Sequence, residues 1–238
     1  MLSHNNAASG FHSAGDPGIA RDNTREVQTD IVRRVADPPV SAPSSGPSTD
    51  DRLVWVDLEM TGLDVDTDVI VEIACIVTDS KLDALDDGIQ LVVRASADDL
   101  ARMSDFVREM HRKSGLLPEI ERSPIDVVEA QQAALAYVKG HVPTPSTAPL
   151  CGNSIGTDRR FLAKYMRDFD DYLHYRSIDV SSLKELCRRW YPAVYRKRPG
   201  KAESHRALDD IRESIDELRF YRDNMLRAPD PAPTSQPA

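Results

Sequence analysis

The chain has 238 residues, 40% hydrophobic and 29% charged, with a formal net charge of −9. That length can bury an ordinary core in one generous domain, and without any run of about 18 apolar residues no helical membrane span is expected. The acidic balance argues against a grip on long duplex nucleic acid, whose affinity comes largely from many phosphate contacts, but is compatible with a short or metal-bridged ligand.

Residues 1–50 hold 5 Pro, 4 Gly and 7 Ser without a sustained apolar period, so a disordered N-terminal tail is expected there, with no secretory signal. Residues 229–238 are Pro-rich and are expected to form a second disordered tail. Between them, residues 51–228 make one domain with 26 basic and 32 acidic residues. Cys75, Cys151 and Cys187 are far apart and lack CxxC spacing, which suits reduced core thiols in a cytoplasmic protein.

LVWVDLE (53–59) reads as a first strand that ends, unusually, in two acids. Strand side chains alternate faces, so Asp57 and Glu59 project from the same side, and a positive charge is expected between them. VIVEIACIVTD (69–79) reads as a strand buried on both faces, and IQLVVR (89–94) as a third after the turn at Asp86, Asp87 and Gly88. These three form an antiparallel meander.

The pattern then turns helical from Asp98 to Lys113, and a second helix is expected behind Ser123 as cap with Pro124 as its first residue. APLCGN (148–153) is a short strand and GTDRRFLAKYMRDF (156–169) a helix. RSIDVSSLKELCRRWYP supplies a strand and then a helix that opens near Ser181 or Ser182 and ends before Pro192. A last helix carries Leu208, Ile211, Ile215 and Leu218 on one face. The order predicts an α/β domain with a mixed five-stranded sheet, three antiparallel strands followed by strand–helix units, flanked by helices.

Asp158 falls in the first turn of one helix and Asp210 near the start of the last, where the helix dipole tolerates acids and a capping role competes with a chemical one. In open α/β sheets the site lies outside the carboxyl ends of strands, where Asp57, Glu59 and Asp158 all fall. At about 100° per residue Asp209 sides with Arg212, Glu213 and Asp216, whereas Asp210 borders the small Ala207 and Ser214, so Asp210 is the better candidate for the site. Four carboxylates without Cys suit Mg²⁺ or Mn²⁺. Glu72, inside the second strand, reads either as support for that site or as a satisfied core carboxylate.

VDLEMTGLD (56–64), NSIGTD (153–158) and HRALDD (205–210) resemble the three motifs of the DEDD superfamily of 3′-to-5′ exonucleases, histidine-containing branch. HYRSIDVSSLKELCRRWYP and HRALDDIRES are similar to the oligoribonuclease family in particular, and the resemblance spans residues 51–228. It implies a ribonuclease H-like fold, two Mg²⁺ or Mn²⁺ ions, a homodimer, and degradation of very short RNA, chiefly dinucleotides, to 5′-mononucleotides. Carried over by motif, Asp57, Glu59, Asp158 and Asp210 are metal ligands and His205 is the general base, a role that an imidazole titrating near pH 6.5 can fill. Leu63 is the implied wedge between bases, and Phe106 stands where many relatives carry Trp, either ring being able to stack on a base. By the same resemblance His111, Ser154, Tyr175, Arg176 and Ser181 are expected to complete the substrate pocket, with Tyr175, Arg176 and Ser181 reaching across the dimer. Residues 188–206, with seven basic residues and one acid, are expected to be a basic flap that carries His205 into place.

Overall fold

The computed structural model describes residues 51–200 and 206–226. His205 and both expected tails lie outside the described residues. Leu53–Met60 forms β1, Ile70–Thr78 β2, Ile89–Val92 β3, Pro149–Gly152 β4 and His174–Asp179 β5. They make one sheet in the order β3-β2-β1-β4-β5. β1 to β3 pair antiparallel, while β4 joins β1, and β5 joins β4, in parallel. The meander followed by strand–helix units is therefore present.

The central β1 is covered on both faces, and its alternation decides where the acids point. Val54, Val56 and Leu58 enter a core with Ala130, Ala134, Val138, Phe161, Leu162 and Phe169. Trp55 faces the other way, onto Cys187, Ala207, Ile211, Ile215 and Tyr221. Asp57 and Glu59 continue the Trp55 face by the same period of two, so they point toward the layer that contains the last helix. At the end of β4, a Cβ on Gly152 would lie 2.9 Å from the Val56 carbonyl oxygen, so only glycine allows the close approach of chain segments there.

The helices depart from expectation at their ends. The stretch expected as one helix is two: α1 (Ala97–Ala101), capped by Ser96, and α2 (Asp105–Lys113), capped by Ser104, whose side chain accepts the Val107 N–H. An unexpected α3 (Leu116–Arg122) follows Gly115, which adopts φ 78°; Pro118 is tolerated because it sits in the first turn, where N–H groups have no helical partner. α4 (Val127–His141) starts later than expected, capped by Asp126 in a capping box with Glu129. Ser123 instead donates to the Val92 carbonyl at 2.6 Å and pins the preceding loop to β3. The helix expected at 156–169 breaks at Met166 into α5 (Gly156–Tyr165) and α6 (Arg167–Tyr172). α7 (Val180–Trp190) is capped by Asp179, and Pro192 opens a short α8 (Pro192–Tyr195), so the described part of the expected basic flap is partly helical. α9 (Ala207–Met225) closes the domain, burying Ile211 and Ile215, with Leu208 and Leu218 half-buried beside them. Among the described residues no helix is long and apolar enough to cross a membrane.

Candidate metal centre and active site

Three carboxylates meet where β1 ends. Asp57 and Glu59 arrive from the strand and Asp210 from the first turns of α9, and one oxygen of each lies within 4.8 Å of the others. α9 can lie this close because the residues it turns to the sheet include the small Ala207 and Ser214, both buried. Burial, together with the negative charges of Asp210, Glu72 and Asp158, pushes the Glu59 carboxyl up to about 8, with the Arg206 guanidinium opposing them. A cluster of oxygen donors that cannot all ionise by themselves fits a hard divalent cation, whose charge would let them do so.

Asp158, in the first turn of α5, is buried beside this group but outside the tight cluster of three. Its Oδ1 accepts the Leu58 N–H at 3.0 Å, which ties it to β1 between Asp57 and Glu59. Burial holds its carboxyl well above the usual range, against the pull of backbone N–H groups. All four predicted acids are thus at one end of the sheet.

The expected substrate residues divide. Leu63, in the loop after β1, and Phe106, in the first turn of α2, are 70% and 77% exposed, so both offer apolar surface to a ligand. His111 is fully buried; its Nε2 donates to the Met60 carbonyl at 2.9 Å, and its Nδ1 lies 3.8 Å from Glu59 Oε2. It therefore backs Glu59, one acid of the candidate metal centre, from inside. Ser154 and Ser181 are neighbours within one chain: Ser181 Oγ accepts the Ser154 N–H at 2.8 Å, and the two hydroxyls are 3.0 Å apart. Ser154 holds φ 53°, an uncommon conformation for a residue with a side chain and one that recurs at ligand sites. Tyr175 and Arg176 lie on the exposed outer strand β5, with the guanidinium 5.4 Å from the ring centre.

The structure adds a polar relay that sequence reasoning missed. Asn153 Oδ1 accepts from Ser181 Oγ at 3.1 Å, and its Nδ2 donates to Ser214 Oγ at 2.8 Å and Glu217 Oε2 at 3.1 Å. Ser214 Oγ in turn donates to the Asp210 carbonyl at 2.8 Å. A continuous chain of hydrogen bonds thus joins the Ser154/Ser181 pair to the helix that carries Asp210. Buried Glu217 also accepts from Tyr221 and pairs with Lys184 at 3.0 Å. The sequence offered Asn153 as the first residue of NSIGTD and Ser214 only as a small residue beside Asp210, with nothing to pair the two.

Comparison with known proteins then places the chain. The profile of the family described as "Exonuclease" matches residues 54–218. The oligoribonuclease of Rhodococcus jostii (strain RHA1) is 54% identical over 185 residues, covering 78% of this chain and 92% of the relative. The chain belongs to the oligoribonuclease family. The oligoribonuclease of Mycobacterium leprae (strain TN) is 53% identical over 186 residues, covering 78% of this chain and 86% of its own.

Membership of the oligoribonuclease family makes the protein a nuclease, and solved exonucleases share its fold. Exonuclease I from Methylocaldum szegediense superimposes with a TM-score of 0.54 at 17% identity, over 73% of this chain and 41% of its own. The zinc-bound E. coli ExoI–ssDNA complex gives 0.56 at 14% identity, over 74% and 41%. The chain spans well under half of these larger enzymes, and what they share is the ribonuclease H-like α/β fold.

Proposed function

We propose that the protein hydrolyses very short oligoribonucleotides, chiefly dinucleotides, from the 3′ end to 5′-mononucleotides. The observation that carries this reading is the meeting of Asp57, Glu59 and Asp210 at the end of β1, with Asp158 beside them. Asp57, Glu59, Asp158 and Asp210 would hold two Mg²⁺ or Mn²⁺ ions, which supply charge neutralisation on the phosphodiester and a more acidic water. His205 takes the proton from the attacking water. Leu63 and Phe106 present apolar surface for wedging and stacking the two bases. Ser154, Ser181 and Arg176 receive the 5′ phosphate; an Arg fork favours a terminal phosphate, which carries more charge than an internal diester. His111, behind Glu59, serves the pocket by backing its metal-site wall.

A homodimer belongs to this reading, with Tyr175 and Arg176 on β5 reaching the partner's site; Ser181, expected to reach across with them, lies against Ser154 of its own chain, which favours a place in that chain's pocket instead. The three free, buried cysteines support a cytoplasmic location.

The test is incubation with a labelled diribonucleotide and a labelled long RNA, each with Mg²⁺ and with EDTA. Rapid metal-dependent loss of the dinucleotide is expected. Preferential trimming of the long RNA would replace this reading with a processing exonuclease, and binding without turnover would replace it with a nucleic-acid-binding module.

A further inference from the structure

Glu72 is fully buried in β2, directly opposite Glu59 in the β1–β2 register. Two acids facing each other across strands repel, and a buried carboxylate needs partners. Glu72 has them on both oxygens. Oε1 accepts Gln90 Nε2 at 2.6 Å and Arg206 Nε and Nη2 at 3.2 and 2.9 Å. Oε2 accepts the backbone N–H of Ala207 at 2.9 Å. The Arg206 guanidinium continues outward to Glu119 on α3, with Nη1 on Oε1 at 3.0 Å and Nη2 on Oε2 at 2.9 Å.

This clamp sits at the start of α9. Ala207 is the first residue of that helix, and its N–H is one of the donors that the helix cannot satisfy internally. The N-cap residue, Arg206, makes no side-chain cap. Glu72 supplies that acceptor from the sheet instead, and its negative charge lies at the positive end of the helix dipole. Asp210 comes one turn later on the same rigid element, so where α9 begins sets where its carboxylate arrives.

We propose that Glu72, Arg206 and Glu119 are positioning residues for catalysis, which dock the first turn of α9 on β2 so that Asp210 meets Asp57 and Glu59. The proposal rests on the metal-centre reading above. A clamp that served stability alone would lower melting temperature and leave the acids of the folded protein in place; a positioning clamp also changes metal binding.

The full chain is compared with Glu72→Gln, Arg206→Met and Arg206→Lys, each checked for folding by circular dichroism. Mn²⁺ affinity is measured by electron paramagnetic resonance without substrate, followed by kcat and KM on a diribonucleotide. Misplacing a reacting group by about 1 Å can cost about 10²-fold, so kcat at saturating metal should fall by about that factor in Glu72→Gln and Arg206→Met, with Mn²⁺ bound about tenfold more weakly. KM for the dinucleotide should stay within about threefold, because base and phosphate contacts are untouched. Arg206→Lys keeps the charge without the fork and should fall between. Folded variants with wild-type Mn²⁺ affinity and kcat would overturn the proposal.

If Glu72→Gln and Arg206→Met do not fold, Glu119→Gln removes only the outer half of the clamp and decides the matter. A severalfold loss of Mn²⁺ affinity supports the proposal, and none overturns it. The Mn²⁺ measurement needs no substrate, so a wild-type protein that binds the ion but spares the dinucleotide would overturn the substrate reading alone.

Discussion

Asp209 and Asp210 are adjacent carboxylates with different surroundings. Asp209 is exposed and pairs with Arg212 at 3.2 Å, a surface contact of little energetic weight. Asp210 joins the group with Asp57 and Glu59. Asp210→Ala should lower turnover by about 10³-fold, as loss of a group that stabilises charge in the transition state does, while Asp209→Ala stays within about threefold. Near-equal steady-state rates for the two variants would refute the assignment. Glu59 carries a second prediction. Its carboxyl is pushed up to about 8 from an ordinary value of 4.5. Between those pH values the folded, metal-free protein keeps a proton that the unfolded chain has released, so its stability falls as pH rises through this window. A divalent cation must displace that proton, so affinity should climb toward pH 8. Titration calorimetry at pH 7 in buffers of different ionisation enthalpy should give different heats of Mn²⁺ binding; identical heats would mean that no proton leaves.

At the scale of elements, strand positions were legible and helix ends were not. β1, β2 and β4 fall where apolar runs predicted, because burial on both faces leaves an unbroken signal. The break between α1 and α2 at Ser104 was hidden because Leu100, Met103, Phe106, Val107 and Met110 keep helical spacing across it. Ser123 and Asp126 both match a helix cap locally, and the choice of Asp126 depends on the bond from Ser123 to Val92, 31 residues away. Asp126→Ala should therefore cost about 1 kcal/mol. Ser123→Ala should also destabilise, by breaking a loop-to-strand bond rather than a cap. Thermal melts of both variants with far-UV circular dichroism test this; an unchanged melt for Asp126→Ala would mean that the cap contributes nothing.

At the scale of the molecule, the outer strand β5 presents Tyr175, 73% exposed, and Arg176 beside it. If Arg176 serves the partner's site, two inactive variants should complement each other. Mixing Arg176→Ala with Asp210→Ala and allowing subunit exchange should restore activity in about a quarter of sites, since half of the dimers in a symmetric exchange are mixed and each mixed dimer has one complete site. No recovery, with exchange verified by sedimentation of tagged subunits, would place Arg176 in its own chain's site.

The sequence by itself determined the succession of three antiparallel strands and then strand–helix units along the chain, the shared face of Asp57 and Glu59, and the preference for Asp210, because backbone geometry imposes periods of 2 and 3.6 on any chain. Only the tertiary structure decided how buried polar groups are matched. Glu72 was conspicuous as an acid among apolar residues, but its partner Arg206 is 134 positions away, and no local pattern names it. The same holds for Asn153 and Ser214, 61 positions apart. Side-chain direction is a property of a few consecutive residues, whereas hydrogen-bond partnership is settled only when strands and helices from distant parts of the chain pack together.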